Sequence, residues 1–272
     1  MSSSNPYIIE GGLAGKKRLN VLAEVLEDST SRLLKQAGIR EGMRFLDLGC
    51  GGGHVSRMAA KLLGDSGSVT AVDFDAEIVA LAQQDAEDEG LKNISFQSGS
   101  AYDVDYNGVF DVAYSRFLLS HLNEPEKVIR NMRRAVKPGG KVVIEDIDFS
   151  GHYCYPKCTA FDKYVELFVK AAANNGQNAN IGLSLYSMCR QEGLLQVEYD
   201  VVQPSFAMSQ GKWMAWLTLD RISGTLKSQG LATEEEVAGM LSELEAFTND
   251  PHTIISLPRI FRVWGQAPGL GD

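Results

Sequence analysis

Between residues 44 and 141, short unbroken apolar runs alternate with stretches whose apolar residues return at helical spacing. The runs at 44–48, 69–72, 94–97, 110–114 and 141–145 predict strands, and the intervening 54–63, 76–89 and 124–136 predict helices. In the first of these helices Val55, Met58, Ala59 and Leu62 share one face, and Gly90 closes the second. Pro138-Gly139-Gly140 turns the chain into the fifth strand. Strands that alternate with helices pair in parallel through crossover connections. Strands without a polar side predict a sheet covered on both faces.

Past residue 148 the rhythm loosens. Helices are expected at 159–174 and 184–192, a strand at 195–202, two helices within 209–248 and a last strand at 257–265. The last two strands are expected as antiparallel neighbours at the sheet edge, with the helices between them as an insertion. Ahead of the core, Leu19, Leu22 and Leu26 fit one helix, and Ser29 or Thr30 is placed to cap a second one running toward Leu34. The expected class is α/β: a mostly parallel seven-stranded sheet with helices on both faces, an antiparallel last strand, and helical insertions forming a lid.

At 272 residues and 44% hydrophobic composition, the chain can build one large domain with a real core. No apolar run approaches the roughly 20 residues of a membrane span. The opening MSSSNPYIIEGG has neither the basic flank nor the apolar core of a signal peptide. A cytoplasmic location without membrane contact is therefore expected. The net charge of -9 argues against nucleic acid, whose phosphates are met by basic patches; only Lys16, Lys17 and Arg18 run together. The four cysteines, Cys50, Cys154, Cys158 and Cys189, are expected as reduced thiols. His152, Cys154 and Cys158 lie close together but match no zinc spacing, so no metal is expected.

The chemistry gathers where the first strand ends, in Phe45-Leu46-Asp47-Leu48-Gly49-Cys50-Gly51-Gly52-Gly53. A buried strand running into a glycine-rich turn and then a helix lets backbone approach a ligand closely and aims a helix N-terminus at its negative end. A phosphate-binding loop of the Gly-Lys-Ser/Thr type is excluded by Gly53-His54-Val55. A dinucleotide loop wants its third glycine one position later, where His54 stands. Cys50, with no base near it in sequence, is read as a small spacer rather than a nucleophile.

The stretch FLDLGCGGG resembles the first motif of class I S-adenosylmethionine-dependent methyltransferases. The resemblance continues in order through VTAVDFD (69–75), FQSGSA (96–101), FDVAYSRFLLSHL (110–122) and AVKPGGKVVIEDID (135–148). Tyr7-x-x-x-Gly11-Gly12 followed by Arg18-Leu19 is similar to a pattern in the small-molecule branch. The resemblance implies a Rossmann-like fold with S-adenosyl-L-methionine as cofactor. Residues 1–43 would form an N-terminal helical cap and 44–150 the cofactor-binding core. Residues 151–272 would complete the sheet and carry the acceptor-binding insertions.

Residue by residue, it implies cofactor contacts at Tyr7, Asp47, Gly49, Cys50, Gly51, Gly53, Asp73, Phe74, Ser100, Ala101, Ser115 and Arg116. Asp73, ending the second strand, would accept the ribose hydroxyls and Phe74 would lie against adenine, with Ser100 where many relatives carry Asp. Ser115 and Arg116 would stand beside the sulfur. Ser115-Arg116-Phe117-Leu118 lacks the Pro-Pro-aromatic tetrapeptide of amino-directed nucleic-acid enzymes, which favours a small-molecule acceptor. The aromatic supply after residue 150 supplies the candidates for that acceptor's pocket: Tyr153, Trp213 and Trp216. His121 and His152 are the weak candidates for a catalytic base. A monomer or homodimer is expected. Two other readings stay open, an NAD(P)-dependent oxidoreductase and a non-catalytic protein that binds the cofactor without chemistry.

Overall fold

The computed structural model describes residues 8, 9, 12–269 and 271. In chain order the helix α1 (Gly12–Gln36) is followed by β1 (Arg44–Leu48), α2 (His54–Leu63), β2 (Ser68–Asp73), α3 (Ala76–Asp88), β3 (Ile94–Ser98), β4 (Phe110–Arg116), α4 (Pro125–Ala135) and β5 (Val136–Asp148). Then come β6 (Cys154–Tyr155), α5 (Thr159–Asn174), α6 (Leu185–Gln191), β7 (Leu195–Val202), β8 (Ser205–Phe206), α7 (Met214–Ser228), α8 (Glu234–Asn249), β9 (Ile254–Ser256) and β10 (Arg259–Gln266).

Seven strands form the main sheet in the order β3-β2-β1-β4-β5-β10-β7. The first five pair in parallel, and β10 runs antiparallel to both β5 and β7. The chain reverses direction across the sheet between β1 and β4, which opens a crevice at the carboxyl ends of those strands. The sheet, its parallel core and its antiparallel last strand are as the patterning predicts. The last strand lies inside the sheet, and β7 forms the edge.

The inner parallel strands are largely apolar on both sides because both sides are covered, while the edge strand β3 exposes Ser95, Gln97 and Ser98. Leu46, Leu48, Ala113, Val142 and Ile144 pack under Val128, Ile129 and Met132 of α4 and Leu185 of α6. On the opposite face Phe45, Val69, Val112, Tyr114 and Val143 meet Val55, Ala59 and Leu63 of α2 and Leu33 and Leu34 of α1. A third cluster sits beyond the carboxyl ends of the strands. There Val21, Leu22 and Leu26 of α1 pack with Phe161, Tyr164 and Phe168 of α5 and Leu217, Leu219 and Ile222 of α7.

Two departures from the patterning have clear causes. One continuous α1 replaces the two expected helices, because Ser29 and Thr30 do not turn back on their own backbone. Thr30 Oγ1 donates to Glu145 Oε1 at 3.1 Å, and Ser29 Oγ accepts from Arg262 Nη1 at 3.1 Å, so both hydroxyls tie the helix to the sheet. A second, three-stranded antiparallel sheet of β6, β9 and β8 was not expected; strands of two and three residues carry no readable period.

Candidate functional site

Two chambers adjoin at the crevice. The larger holds about 500 Å³ and the smaller about 450 Å³. Gly49, Asp73, Phe74, Leu118 and His121 line both and form the ridge between them.

The glycine turn makes the floor. Gly49, Gly51 and Gly53 have φ of 74°, 50° and 70°, a region costly for residues with a Cβ. Their amides are used within the chain: Gly49 and Cys50 donate to Val72 O, Gly51 to Asp73 Oδ2 and Gly53 to Cys50 O. These four positions therefore offer close backbone approach rather than free donors. A Cβ on Gly51 would meet nothing nearer than Leu19 Cδ1 at 3.9 Å. A Cβ on Gly53 would strike the Phe96 ring at 2.7 Å. Gly51 faces open space, while Gly53 lets α2 pack.

Asp73 stands on the ridge. Its Oδ2 accepts from Gly51 N at 2.8 Å and its Oδ1 from Asp75 N at 3.0 Å, leaving each oxygen a further lone pair. Burial holds its carboxyl above the usual range. Beside it the Phe74 ring is 52% exposed, unusual for an aromatic side chain with no partner to cover it. Asp47, at the turn end of the larger chamber, is pushed up to about 6 by burial, and Ser56 Oγ donates to it at 2.5 Å. Cys50 is half-buried, and desolvation, with the nearby Asp47 and Asp73, pushes its thiol well above the ordinary value and leaves it a poor nucleophile.

Away from the glycine turn the larger chamber is mostly apolar. Leu22, Phe149, Phe168, Met214, Leu257 and Ile260 form its walls, Arg18, His152, Tyr164 and Thr218 interrupt them, and His121 stands on the ridge. His152 Nδ1 lies 2.8 Å from Phe149 O. A carbonyl only accepts, so Nδ1 carries the proton and Nε2 keeps its lone pair. Desolvation lowers both His121 and His152 to about 4. Phe117 is one of three non-glycine residues with positive φ among the described residues, at 54°, and lines the larger chamber with its N–H bonded to Glu145 O at 2.8 Å.

The His152 value fixes a pH response. An unfolded imidazole takes a proton near 6.5, whereas the folded one refuses it until about 4. Stability is therefore full above pH 6.5 and is lost as the pH falls toward 4, by roughly 3 kcal/mol for this residue. Asp47 and Asp146, both raised from 3.8 to about 6, act with the opposite sign and lose stability as the pH rises between those values. The histidine is isolated by comparison with His152→Gln. In urea unfolding the parent should lose about that much stability relative to the variant between pH 7 and 4. Parallel stability curves would exclude it.

Of the residues singled out by sequence, Asp47, Gly49, Cys50, Gly51, Asp73, Phe74, Arg116, His121 and His152 line the larger chamber. Ser100 and Ala101 line the smaller. Gly53 and Ser115 line neither; strand alternation sends Tyr114 and Arg116 to the chamber and buries Ser115 in the opposite face. Tyr7 lies outside the described residues. Tyr153, Trp213 and Trp216 also line neither chamber. Tyr153 is half exposed and shares a hydrogen bond with Ser205 Oγ at 2.7 Å. The two tryptophans meet edge to face at 6.0 Å and pack on the helical cluster. Their neighbours Met214 and Thr218, four apart on α7, face the chamber, as do Tyr164 and Phe168 on α5. That i,i+4 pairing is the signal a composition-based search for aromatics misses.

Residues 39–220 match a family model described as a methyltransferase domain. Over 130 residues the chain is 30% identical to the ubiquinone/menaquinone biosynthesis C-methyltransferase UbiE of Yersinia enterocolitica, covering 47% of this chain and 51% of that protein. The chain thus spans about half the length of the curated relatives it matches. A putative methyltransferase from Bacillus halodurans superposes with a TM-score of 0.59 at 18% identity, covering 87% of this chain and 97% of that one. The phosphoethanolamine N-methyltransferase 2 of Haemonchus contortus, solved with phosphomonomethylethanolamine and S-adenosylhomocysteine, gives 0.53 at 18% identity over 98% of this chain and 55% of that one. At such identities the superpositions speak for the fold. Among the described residues no helix is long and apolar enough to cross a membrane, and no cluster of three or more His, Cys, Asp or Glu is placed to hold a metal.

Proposed function

The chain belongs to the methyltransferase-domain family, and from that premise we propose that it moves the methyl group of S-adenosylmethionine onto a small-molecule acceptor held in the larger chamber. The observation that carries this reading is the pair of chambers meeting at Asp73 and Phe74 above a glycine turn with an open face at Gly51. A nucleoside fits the smaller chamber, where Ser100 and Ala101 lie, and its ribose hydroxyls meet the free lone pairs of Asp73. Asp47 and Arg116 are close enough for each to act on the other's charge. They match the ammonium and carboxylate of the cofactor's amino-acid end. In this reading residues 44–150 carry the cofactor and 151–272 supply much of the acceptor side. Helix α1, within residues 1–43, contributes to both.

The bound cofactor supplies an electrophilic methyl on a sulfonium, so the chain's own task is orientation and exclusion of water. Phe149, Phe168 and Met214 keep the acceptor end dry. His152, neutral at pH 7 with Nε2 unprotonated, is the group able to take a proton from an acceptor whose nucleophile still holds one.

Calorimetry tests the cofactor half directly. S-adenosylhomocysteine should bind, with no comparable binding of NAD(H) or NADP(H). Asp73→Ala should weaken it by about 1.5–3 kcal/mol, the range for a hydrogen bond to a charged group, and Ser100→Ala by less. An unchanged affinity in Asp73→Ala removes that residue from the site, and tight NAD binding without adenosylhomocysteine binding overturns the reading.

A further inference from the structure

The larger chamber contains a cation that the cofactor reading leaves unused. Arg18 projects from α1 into the apolar end, where its Nε donates to Thr218 Oγ1 of α7 at 3.1 Å. It makes no ion pair among the described residues; every ion pair between them lies elsewhere. Its electrostatic neighbours are the Tyr164 phenol and the His121 imidazole. Neither supplies a negative charge at neutral pH: desolvation raises the Tyr164 phenol above its usual value and lowers His121.

Such a group is expensive. Arg18 is half-buried with no counter-charge among the described residues, and desolvation holds its guanidinium below its ordinary pKa. A folded chain has little reason to keep an arginine among Leu22, Phe149, Phe168 and Met214 for packing alone. The cost is offset when a ligand brings the missing charge. With Nε committed to Thr218, the guanidinium's two terminal nitrogens remain, and that end-on edge is shaped for two parallel bonds to a carboxylate.

The anion is not accounted for by the cofactor. Its amino-acid end belongs at the glycine turn, where Arg116 already acts on Asp47. Arg18 acts on Tyr164 of α5 and on His121 at the ridge, its Nε is held by Thr218 of α7, and neither Asp47 nor Asp73 is among its electrostatic neighbours.

We propose that the acceptor is a small apolar acid, its hydrocarbon body held between Phe149, Phe168 and Met214 and its carboxylate anchored by Arg18. The proposal rests on the methyl-transfer reading above and specifies its substrate class. Arg18 thereby sets which end of the acceptor enters first, and so which atom is presented to the ridge between the chambers.

The test uses the full chain saturated with S-adenosylhomocysteine and three acid–amide pairs of graded size: benzoate with benzamide, 2-naphthoate with 2-naphthamide, and decanoate with decanamide. At least one acid should bind tenfold or more tightly than its neutral amide by calorimetry. In Arg18→Met, which keeps the length and the apolar stem, that preference should vanish while adenosylhomocysteine affinity stays within twofold of the parent. Arg18→Lys, retaining charge without the fork, should keep part of the preference and serves as the second variant if Arg18→Met folds poorly. Equal binding of acid and amide, a preference that survives Arg18→Met, or no binding of any acid up to millimolar concentration would each overturn the proposal. So would a tenfold loss of adenosylhomocysteine affinity in both variants, which would assign Arg18 to the cofactor's own carboxylate and leave methyl transfer intact. Failure of the parent chain to bind adenosylhomocysteine is the separate outcome that removes the reading beneath it.

Discussion

Gly51→Val should fold and fail to bind S-adenosylhomocysteine, while Gly53→Val should fail chiefly in folding. The two glycines stand two residues apart in one turn and both have positive φ, at 50° and 70°. Each valine therefore carries a left-handed backbone penalty of roughly 1–2 kcal/mol. What separates them is the direction of the added side chain. At Gly51 the first carbon meets nothing closer than Leu19 Cδ1 at 3.9 Å, so the isopropyl group enters the open chamber and occupies the surface proposed for the cofactor. At Gly53 the same carbon falls 2.7 Å from the Phe96 ring and 3.0 Å from Ala82 Cβ. Overpacking of this kind costs about 1–3 kcal/mol beyond the strain. Calorimetry should show affinity for adenosylhomocysteine lower by more than about 100-fold in Gly51→Val, since the reach of a branched side chain forbids the close approach that glycine permits. Urea unfolding should rank Gly53→Val well below Gly51→Val. Parental affinity in Gly51→Val would show that the cofactor does not lie on this turn, and equal stabilities would show that Gly53 has room the geometry denies it.

That contrast also marks how far the sequence could be read. The repeating glycines announce a turn with backbone close to a ligand, but sequence treats Gly49, Gly51 and Gly53 alike. Only the packing of α2 against β3 tells a packing glycine from one that faces the chamber. The same limit governs β4. Its apolar run is readable as a buried strand, yet which of Tyr114, Ser115 and Arg116 points toward the crevice depends on register, and register is settled by pairing with β1 and β5. The parallel core was legible because strands covered on both faces leave unbroken apolar runs. The end of the larger chamber proposed for the acceptor was not. It is assembled from α1, α5 and α7, distant in sequence, and its lining is drawn from single helix faces such as Tyr164 with Phe168 and Met214 with Thr218. Aromatic content pointed instead to Trp213 and Trp216, which the fold spends on packing the helical layer. Arg18 was in view, in a short basic run and in the Arg18-Leu19 pattern; only the position of α7 reveals that its guanidinium meets Thr218.

The second large effect is expected at Glu145, a residue with no chemistry assigned to it. Its side chain is 1% exposed in the middle of β5, where an acid is tolerated only if its partners satisfy it. Oε1 accepts from the Tyr114 hydroxyl and from Thr30 Oγ1, and Thr30 Oγ1 in turn accepts from Arg116 Nη1 at 3.1 Å. One carboxyl thus joins β4, β5 and α1 and steadies the arginine that faces the chamber. Glu145→Ala leaves a fully buried Tyr114 hydroxyl without its acceptor and frees Thr30, each at about 1–3 kcal/mol, so the loss should reach roughly 3–5 kcal/mol in urea unfolding. Glu145→Gln keeps an oxygen in place and should cost clearly less, because Tyr114 and Thr30 retain an acceptor. Tyr114→Phe removes one bond while Glu145 keeps Thr30, and should fall between them. The order matters more than any single value: a buried hydrogen-bonded hub is worth what its stranded partners lose, whereas a simple cavity would penalise alanine without distinguishing glutamine from glutamate. If Glu145→Ala is as stable as Glu145→Gln, the side chain is not a hub, and the placement of Arg116 at the chamber must be explained by Thr30 alone.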